Sequence, residues 1–597
     1  MKFKTVIHTV LSLTLLASAA CTHDDLKSGL EDITQDKYLL LRIALPSEAA
    51  KTRSNPMGGE EGNGREEGMD NENRIHDINL FFYSGNDGLD SPDQTKILYH
   101  VYYNRDNELD INNSILQEFD ANDRDNGNGL LAGTKYFELS FRVPETQKNI
   151  LAEGIKFATV ANVGYIGNIE TLGQLRDYEF NTAISLANIA NKKADEVEKF
   201  PMSTAYNAEY RYNGRTTGDN TIKPAAPDHF EGVTTVEHIY ARLDLWYNES
   251  ENAVKDGNDI SCLKYKVKAD EKDYTDNLLY ICNVLPVNVM QTPSYLFKKV
   301  TSNLNSFNKD DFANYSFYWA GKETPNGIPT SAPNDLPANY VMERTTVEKS
   351  AGGTTGQLND WYGSTAVASV KNDIADATKG KLAAYYHGVP NSDTNPNYGC
   401  DHIAIISYAN ENTHPTDCFH SNYLTGLAFR GLYIPAKIYS AYDAATGELT
   451  ELTNNTAVPA QDRIYQYSPS TGDGNNKLSE RYNLYFSNKK AAEDYRDFHL
   501  DESGIITEFK SEYNANYGFG VICYYNLWLR HYNDESANPQ GSYPMEYATV
   551  RNNIYRVSIS FNGPGDPTPT LREPDTMQAR IFVRKWNFRE EKNPLDF

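Results

Sequence analysis

One cysteine near the start of the chain has a setting that points to covalent chemistry. It follows two lysines, a short apolar run and three small residues, namely Lys2, Lys4, Val6–Leu16 and Ser18-Ala19-Ala20. This order is typical of a secretory signal, and the apolar run is shorter than the roughly 20 residues that span a bilayer. The sequence therefore predicts a signal peptide over residues 1–20 and lipidation, palmitate included, at Cys21. Ser18 stands where such signals usually carry an aliphatic residue, so plain secretory cleavage near Ala20 is the alternative.

Two polar clusters contain residue types that bind metals, but their spacing is wrong. Asp120–Gly127 resembles a calcium loop, yet Arg124 occupies a ligand position and no closing Glu follows. The second cluster forms two C-x-H pairs, an unusual zinc spacing, from Cys400, His402, Cys418 and His420. The chain also lacks a Walker loop, a G-x-S-x-G elbow and an H-E-x-x-H motif. We expect no enzyme, no metal and no cofactor.

Composition limits the class of partner and favours sheets. The formal net charge of −25 argues against nucleic acid, which proteins meet with clustered Lys and Arg. Aromatic residues make up 12% of the chain, with 42 Tyr, and such residues are enriched in strands. A length of 597 residues suggests two or three domains.

If Cys21 carries lipid, five cysteines remain, and an odd number cannot all pair. They are Cys262, Cys282, Cys400, Cys418 and Cys523. The spacings within the first two pairs permit disulfides, and buried thiols are equally open.

Alternating apolar residues predict strands along most of the chain. The clearest case is Phe137, Leu139, Phe141 and Val143, which alternate with polar residues. Other predicted strands cover Tyr38–Leu45, Ile75–Tyr83, Ile97–Tyr103, Ile155–Val163 and Val236–Trp246. Apolar spacing over Thr171–Asn191 predicts an amphipathic helix, and the Asn/Pro-rich stretches Ala332–Gly356 and Gly388–Thr416 suggest insertions.

The C-terminal region has three strand-like runs, beginning near Tyr524, Asn553 and Ala579, with a Gly-Pro turn after the second. Two of its motifs are CYYNLWLRHYN from Cys523 and MEYATVRNNIYRVSI from Met545. In this order, with a final strand that ends in Trp586, they resemble the Bacteroidales fimbrillins, the type V pilins. The similarity is greatest to the stalk subunit of short, or minor, fimbriae.

The resemblance implies a mainly β fold with two transthyretin-like, Greek-key β-sandwich domains, small helical elements and loop insertions. The predicted organisation, which combines the resemblance with the strand pattern, has five parts: a signal peptide (1–20), a lipidated leader with a removable strand (21–53), an N-terminal sandwich (54–232), a C-terminal sandwich with insertions (233–578) and a donor-strand segment (579–597).

The resemblance also implies a function: a fimbrial subunit for adhesion, exported as an outer-membrane lipoprotein precursor and placed in a cell-surface fimbrium. A trypsin-like, Arg-specific protease would cut between Arg53 and Ser54. This cut would remove the leader strand that contains Leu39, Leu41 and Ile43. Identical or related subunits would then join head-to-tail, each donating apolar residues drawn from Ile581, Val583, Trp586, Phe588, Leu595 and Phe597.

The alternative is a surface lipoprotein that remains monomeric, either a fimbrial anchor or accessory subunit or a glycan-binding module. The many Tyr and Trp residues have the chemistry to stack on sugars, although aromatic residues in sandwiches mostly form the core. The residues do not decide between a stalk, tip, accessory or anchor position, and they leave the host or bacterial surface ligand unknown.

Overall fold

The structure is a computed structural model. It describes residues 37–44, 65–67, 72–83, 95–104, 115–120, 135–143, 156–176, 178–180, 199–204, 223–226, 229–256, 259–267, 277–287, 289, 294–296, 317–319, 322–323, 340–341, 371–382, 389–395, 400–412, 424–452, 463–470, 483–514, 518–531, 547–569 and 576–587. Strands dominate this part of the chain, which confirms the mainly β prediction.

The strands of the N-terminal half are β1 (Lys37–Ala44), β2 (Arg65–Glu67), β3 (Asp77–Tyr83), β4 (Ile97–Asn104), β5 (Ile115–Asp120), β6 (Lys135–Val143), β7 (Lys156–Ala161), β8 (Glu179–Phe180), β9 (Met202–Thr204), β10 (Lys223–Ala226) and β11 (His229–His238). A short helix, α1 (Leu172–Arg176), follows β7.

The strands that follow are β12 (Ala241–Tyr247), β13 (Ala253–Asp256), β14 (Asp259–Val267), β15 (Asn277–Val287), β16 (Ser294–Tyr295), β17 (Phe317–Trp319), β18 (Lys322–Glu323), β19 (Tyr340–Val341), β20 (Val389–Asn395), β21 (Cys400–Ala409), β22 (Gly426–Ile434), β23 (Tyr439–Asp443), β24 (Glu448–Glu451), β25 (Arg463–Ser468), β26 (Leu484–Phe486), β27 (Ile505–Asn514), β28 (Gly518–Trp528), β29 (Asn553–Phe561) and β30 (Met577–Asn587). The helices α2 (Glu249–Asn252) and α3 (Lys489–Phe498) accompany them, and residues 371–375 are helical as well.

A nine-stranded sheet gathers most of the N-terminal strands, in the order β4-β3-β7-β9-β11-β1-β6-β5, with β10 beside β11. Strand β11 changes its partner along its length. Its first residues pair with β1, and Val236–His238 pair with β9. This strand therefore joins the group that contains β1 to the group that contains β3.

Two large sheets, which contain the C-terminal strands together with β2, pack face to face. One has the order β2-β30-β29-β12-β21-β20, and the other runs β13-β14-β15-β22-β28-β27-β25-β26-β23-β24. Phe561 of β29 reaches across the layer, with its ring centroid 4.9 Å from Tyr265 and 4.7 Å from Tyr525 of the facing sheet. This sandwich is built on alternating apolar residues, as the period of two in β29 predicts.

For one of the two cysteine pairs, the structure decides between the disulfide and the buried thiols that the sequence left open. Cys262 of β14 and Cys282 of β15 form a disulfide, with their Cα atoms 4.2 Å apart. Cys523 is a buried free thiol, and burial raises its pKa to about 11, so it stays protonated and unreactive. Cys418 lies outside the described residues.

Three expectations about local structure are wrong. The predicted helix over Thr171–Asn191 ends at Arg176, because the chain turns there to pair Glu179–Phe180 with β16. The predicted strand Val236–Trp246 breaks at Ile239 and Tyr240, where the chain leaves one sheet and enters another. The stretch Gly388–Thr416, expected as an insertion, contains β20 and β21, and β21 pairs with β12 inside the six-stranded sheet.

Within the described residues, no helix is long and apolar enough to cross a membrane.

Candidate functional site

The strand from the predicted leader, β1, lies in the interior of the N-terminal sheet. It pairs antiparallel with β6 over eight positions and parallel with β11 over seven. In the β6 ladder, Leu39 is opposite Phe141, Leu41 is opposite Leu139, and Ile43 is opposite Phe137. These three apolar positions of β1 are therefore matched to three of the alternating apolar positions of β6, a pattern that specifies the register.

The C-terminal strand β30 has a different environment. It pairs antiparallel with β29 over nine positions, from Asn553 opposite Lys585 to Phe561 opposite Met577. Ile581 and Val583 are buried in the core of the C-terminal sandwich. These two predicted donor residues therefore fill the core of their own sandwich.

Strand β2 covers part of the other side of β30. Its three residues, Arg65–Glu67, pair parallel with Lys585–Asn587. The segment shortly after Arg53 thus meets the final described residues of β30. This contact places residues from both ends of the predicted mature chain in one sheet.

A buried carboxylate connects the same N-terminal segment to β12 and β21. We call this region, where the chain passes from β11 in one sheet to β12 in another, the junction. The Glu72 side chain is fully buried and accepts hydrogen bonds from the Tyr408 hydroxyl at 2.6 Å and from Arg242 Nη1 at 3.1 Å. Burial and the neighbouring Glu72 raise the pKa of Tyr408 well above its ordinary value, so the hydroxyl keeps its proton and donates it. Removing one partner of an ion pair that is buried this completely destabilises a protein strongly, because the other charge is left buried and uncompensated.

The charge network continues into the six-stranded sheet. Arg242 donates two hydrogen bonds to Asp244, both of 2.9 Å, in the bidentate geometry that guanidinium and carboxylate favour. Arg556 of β29 contributes a second cation, with Nη2 3.5 Å from Asp244 Oδ2, and its guanidinium lies 5.8 Å from the centre of the Trp246 ring. Two buried carboxylates and two buried guanidinium groups thus compensate one another where the sheets meet.

His238, the last residue of β11, joins the network through neutral hydrogen bonds. Its Nε2 donates to the Glu72 carbonyl oxygen at 3.0 Å, and its backbone N–H donates to Asn552 Oδ1 at 3.3 Å. Burial lowers the pKa of His238 to about 4, so the imidazole is neutral at physiological pH.

The VRNN portion of the C-terminal motif builds a clasp over the crossing between sheets. Asn552 has a left-handed backbone with φ of 56°, and its N–H donates to the Tyr240 carbonyl oxygen. Arg551 is buried and pairs with Glu411 at 3.0 Å. The Tyr555 hydroxyl accepts from the Val550 N–H at 2.8 Å. The motif residues therefore determine a turn that holds the junction together.

The junction was not predicted from the sequence, although one signal was available. Arg242 and Asp244 alternate with Ala241 and Leu243 along β12, a pattern that ordinarily indicates a solvent-facing polar side. The structure buries both faces of β12. An Arg and an Asp two residues apart, within a strand that must be central, is the signal that points to a buried pair.

The remaining predicted site residues lie outside the described residues, and they are Cys21, Arg53, Ser54, Phe588, Leu595 and Phe597. For Trp586 the structure gives the backbone position within β30. His402 of the considered zinc set pairs instead with Glu249 at 2.8 Å. No group of three or more possible metal ligands occurs among the described residues.

Comparisons with known proteins give one family match and several structural likenesses. Residues 516–592 match the model described as major fimbrial subunit protein type IV, fimbrillin, C-terminal. No curated protein sequence matches the chain.

The similar solved structures include a putative cell adhesion protein from Parabacteroides distasonis ATCC 8503, at 10% identity, with 93% of this chain and all of that one covered and a TM-score of 0.33. A fimbrilin (fimA) from Porphyromonas gingivalis W83 has 12% identity, coverage of 93% and 99%, and a TM-score of 0.32. The tip fimbrial protein Mfa3 from Porphyromonas gingivalis, with C-terminal truncation, has 11% identity, coverage of 92% and 100%, and a TM-score of 0.27. These TM-scores are too low to support a detailed comparison.

The family match covers β28, β29 and β30, together with the VRNN clasp that leads into β29. These are the elements whose residues carry the resemblance in the sequence. The predicted similarity to the fimbrillins, the Bacteroidales type V pilins, is thereby confirmed, and it lies in residues 516–592, which match the fimbrillin C-terminal model.

Proposed function

We propose that this chain is a fimbrial subunit that is exported as a lipoprotein, cut after Arg53 and polymerised by donor-strand exchange. The observation that carries the proposal is the position of β1. This strand belongs to the segment before Arg53, yet it pairs on both sides in the interior of a sheet. The fimbrillin C-terminal region supports the same function.

Removal of β1 would leave two open ladders that face each other, one along β6 and one along β11. Unpaired backbone groups at such edges recruit another extended strand, because pairing satisfies their hydrogen bonds. The apolar positions Phe137, Leu139 and Phe141 would then select a strand with apolar residues at every second position. A strand with this pattern from a neighbouring subunit restores what the leader strand supplied.

The donated strand is drawn from the residues after Asn587 in this proposal. Ile581 and Val583 are committed to the core of their own sandwich, so their removal would expose that core. Phe588, Leu595 and Phe597 remain as apolar anchors, and about 1.5–3 kcal/mol for each buried anchor favours a long-lived joint. In this assignment β30 stays in its own sheet, and the donated residues follow its C-terminal end.

The proposed joint is heterologous, because the acceptor and the donor are different surfaces of one subunit. A heterologous contact that does not close into a ring produces a filament. Identical or related subunits are the proposed partners, together with an Arg-specific, trypsin-like protease. The Cys262–Cys282 disulfide suits an exported protein, since such bonds persist outside the reducing cytosol.

Two variants test this proposal in opposite ways. Arg53→Ala should give a folded, lipidated monomer that keeps β1, and deletion of residues 587–597 should give a cut monomer that cannot donate. Mixing the cut deletion variant with cut wild-type subunits should terminate filaments, which native gels report as shorter ladders. If either variant alone forms filaments as readily as the parent, donor-strand exchange after the cut at Arg53 is wrong for this protein. If the cut parent itself stays monomeric, the protein is better described as a monomeric surface lipoprotein.

A further inference from the structure

Tyr165 is one of the six large hydrophobic residues that are exposed in the described part of the chain. Tyr165 lies in the loop between β7 and α1, and 66% of its side-chain surface is open to solvent. A tyrosine in a sandwich normally packs into the core. Its exposure requires an explanation, because the loop around it is built to hold the ring in place.

Buried polar side chains fix the backbone on both sides of Tyr165. Asp77 Oδ1 accepts from the Val163 N–H at 3.1 Å and from the Gly164 N–H at 2.9 Å. Asn79 Nδ2 donates to the Gly164 carbonyl oxygen at 2.7 Å, and its Oδ1 accepts from the Ile166 N–H at 3.1 Å. Asp77 and Asn79 are both buried, so the loop cannot move without breaking hydrogen bonds in the interior.

The backbone of this loop adopts conformations that most residues avoid. Asn162, Gly164 and Asn168 all have left-handed backbones, with φ of 62°, 76° and 59°. Asn and Gly tolerate this region better than other residues. Three left-handed residues within seven positions make the loop turn tightly, and Tyr165 lies within this turn.

Beneath Tyr165 a column of rings extends into the core. The imidazole of His100 stacks on Phe81 with a centroid distance of 4.3 Å and an interplanar angle of 3°. Tyr165 stacks on His100 at 5.5 Å and 27°, and Tyr102 meets the Tyr165 ring edge-on at 5.4 Å. The column orients the exposed ring.

We propose that Tyr165 is the stacking platform of a binding site for a neutral sugar ring. The C–H groups on one side of a pyranose are slightly positive, and they fit the negative face of an aromatic ring. Sugar hydroxyls also need hydrogen-bonding partners at the rim. The same loop and the first turn of α1 supply exposed polar side chains for that purpose: Asn168, Glu170 and Gln174.

The size of the exposed surface favours a sugar over a protein partner. Protein partners bury about 800 Å² on each side of a stable interface. On β4, which contributes the His100 ring to the column, the large hydrophobic residue that the structure describes as exposed is Leu98, at 39%. One ring and part of a leucine match a single sugar residue in area.

The local charges favour a neutral ligand. Lys96 and Glu170 are both exposed and lie on adjoining backbone segments, since the Ile97 N–H donates to the Glu170 carbonyl oxygen at 2.8 Å. Their opposite charges cancel, so the platform attracts neither anions nor cations strongly. The residues of this site lie outside β1, β6, β11 and β30, so the proposal does not rest on strand exchange.

Saturation-transfer NMR on the full mature protein tests the site. The probes are the methyl glycosides of galactose, glucose, N-acetylglucosamine and fucose. Transfer is expected to at least one glycoside, strongest at the ring protons of one face. Tyr165→Ala should lower the affinity by about fivefold or more, and Tyr165→Phe should keep it within about twofold, because stacking uses the ring.

The matched control is Tyr513→Ala, because Tyr513 is also exposed, at 48%, and its ring packs on Phe519. It should leave the transfer unchanged, and equal melting temperatures will show that all variants are folded. The proposal is overturned if no glycoside receives more saturation from the wild type than from Tyr165→Ala. It is also overturned if Tyr165→Ala abolishes binding of a protein ligand with which no glycoside competes.

Discussion

The strands β1 and β30 carry similar apolar residues but occupy different positions in their sheets. Strand β1 has ladders on both sides, with eight register positions shared with β6 and seven with β11. Strand β30 has a nine-position ladder with β29 and a three-position contact with β2. The first strand belongs to the predicted leader, and the second lies in the region that matches the fimbrillin C-terminal model.

In the proposed strand exchange, this difference favours β1 as the strand that is replaced. Losing β1 would open a slot of defined width and register, because β6 and β11 remain in place on either side. Losing β30 would expose Ile581 and Val583, which belong to the main core. The slot between β6 and β11 has the geometry of an acceptor for a donated strand. Strand β30 is fixed in the core, so it would anchor the donated residues that follow it.

The largest contrast is expected from placing a charge in each strand. Ile581→Asp should destabilise the mature protein by at least about 4 kcal/mol, because it buries an unpaired carboxylate. Leu41→Asp should leave the melting temperature of the cut protein unchanged, because β1 is then absent. Thermal melts of both cut proteins measure this. Equal losses in the two variants would mean that β1 stays in the mature fold.

The junction should respond strongly to loss of its buried carboxylate. Glu72→Ala leaves Arg242 without one of its buried partners, and we expect a loss of about 3–5 kcal/mol. The matched control is Asp494→Ala, which breaks the exposed Lys490–Asp494 pair and should cost less than about 1 kcal/mol. Urea unfolding of the cut protein reports both. A small effect of Glu72→Ala would mean that the retained N-terminal segment does not stabilise the junction.

The disulfide should stabilise the C-terminal sandwich whether or not β1 is present. Replacing Cys262 and Cys282 by Ser should lower the free energy of unfolding by about 2–4 kcal/mol. The same loss is expected before and after cutting, because the bond joins β14 to β15 and lies outside the β1 slot. Replacing the buried free thiol, Cys523→Ser, serves as the comparison without a crosslink. A loss confined to the uncut form would contradict the separation of the two regions.

The smallest effect concerns pH. The pKa of His238 is lowered to about 4 in the folded protein, against about 6.5 when exposed, so its contribution to stability is complete above pH 6.5 and falls as the pH drops towards 4. Between pH 7.5 and pH 5 this histidine should account for about 2 kcal/mol of lost stability. His238→Gln keeps a donor for the Glu72 carbonyl oxygen and should reduce the pH dependence by that amount. An unchanged pH dependence would argue against a neutral, buried His238.

The alternating strands could be predicted from the sequence because half-buried sheets impose a period of two. Tyr38–Leu45 was predicted as a strand and occurs as Lys37–Ala44. The fimbrillin resemblance could also be recognised from the sequence. It rests on specific motif residues, and some of these form the VRNN clasp in the structure. The helix over Thr171–Asn191 failed because its apolar spacing continues past Arg176, where pairing with β16 overrides it. The charged junction was missed because a buried Arg–Asp pair resembles the solvent face of a strand when its partner, Glu72, is 170 residues away.

Trapping β1 in its slot is the most direct test of strand exchange. Leu41 and Leu139 are direct partners in the antiparallel ladder, so Leu41→Cys with Leu139→Cys places two thiols on neighbouring strands. After cutting at Arg53, the oxidised double variant should remain monomeric, and a reductant should restore polymerisation. The single variant Leu41→Cys and the parent, which keeps Cys262–Cys282, control for the reductant itself. Filaments formed by the oxidised, crosslinked and cut subunit would contradict replacement of β1 by a donated strand.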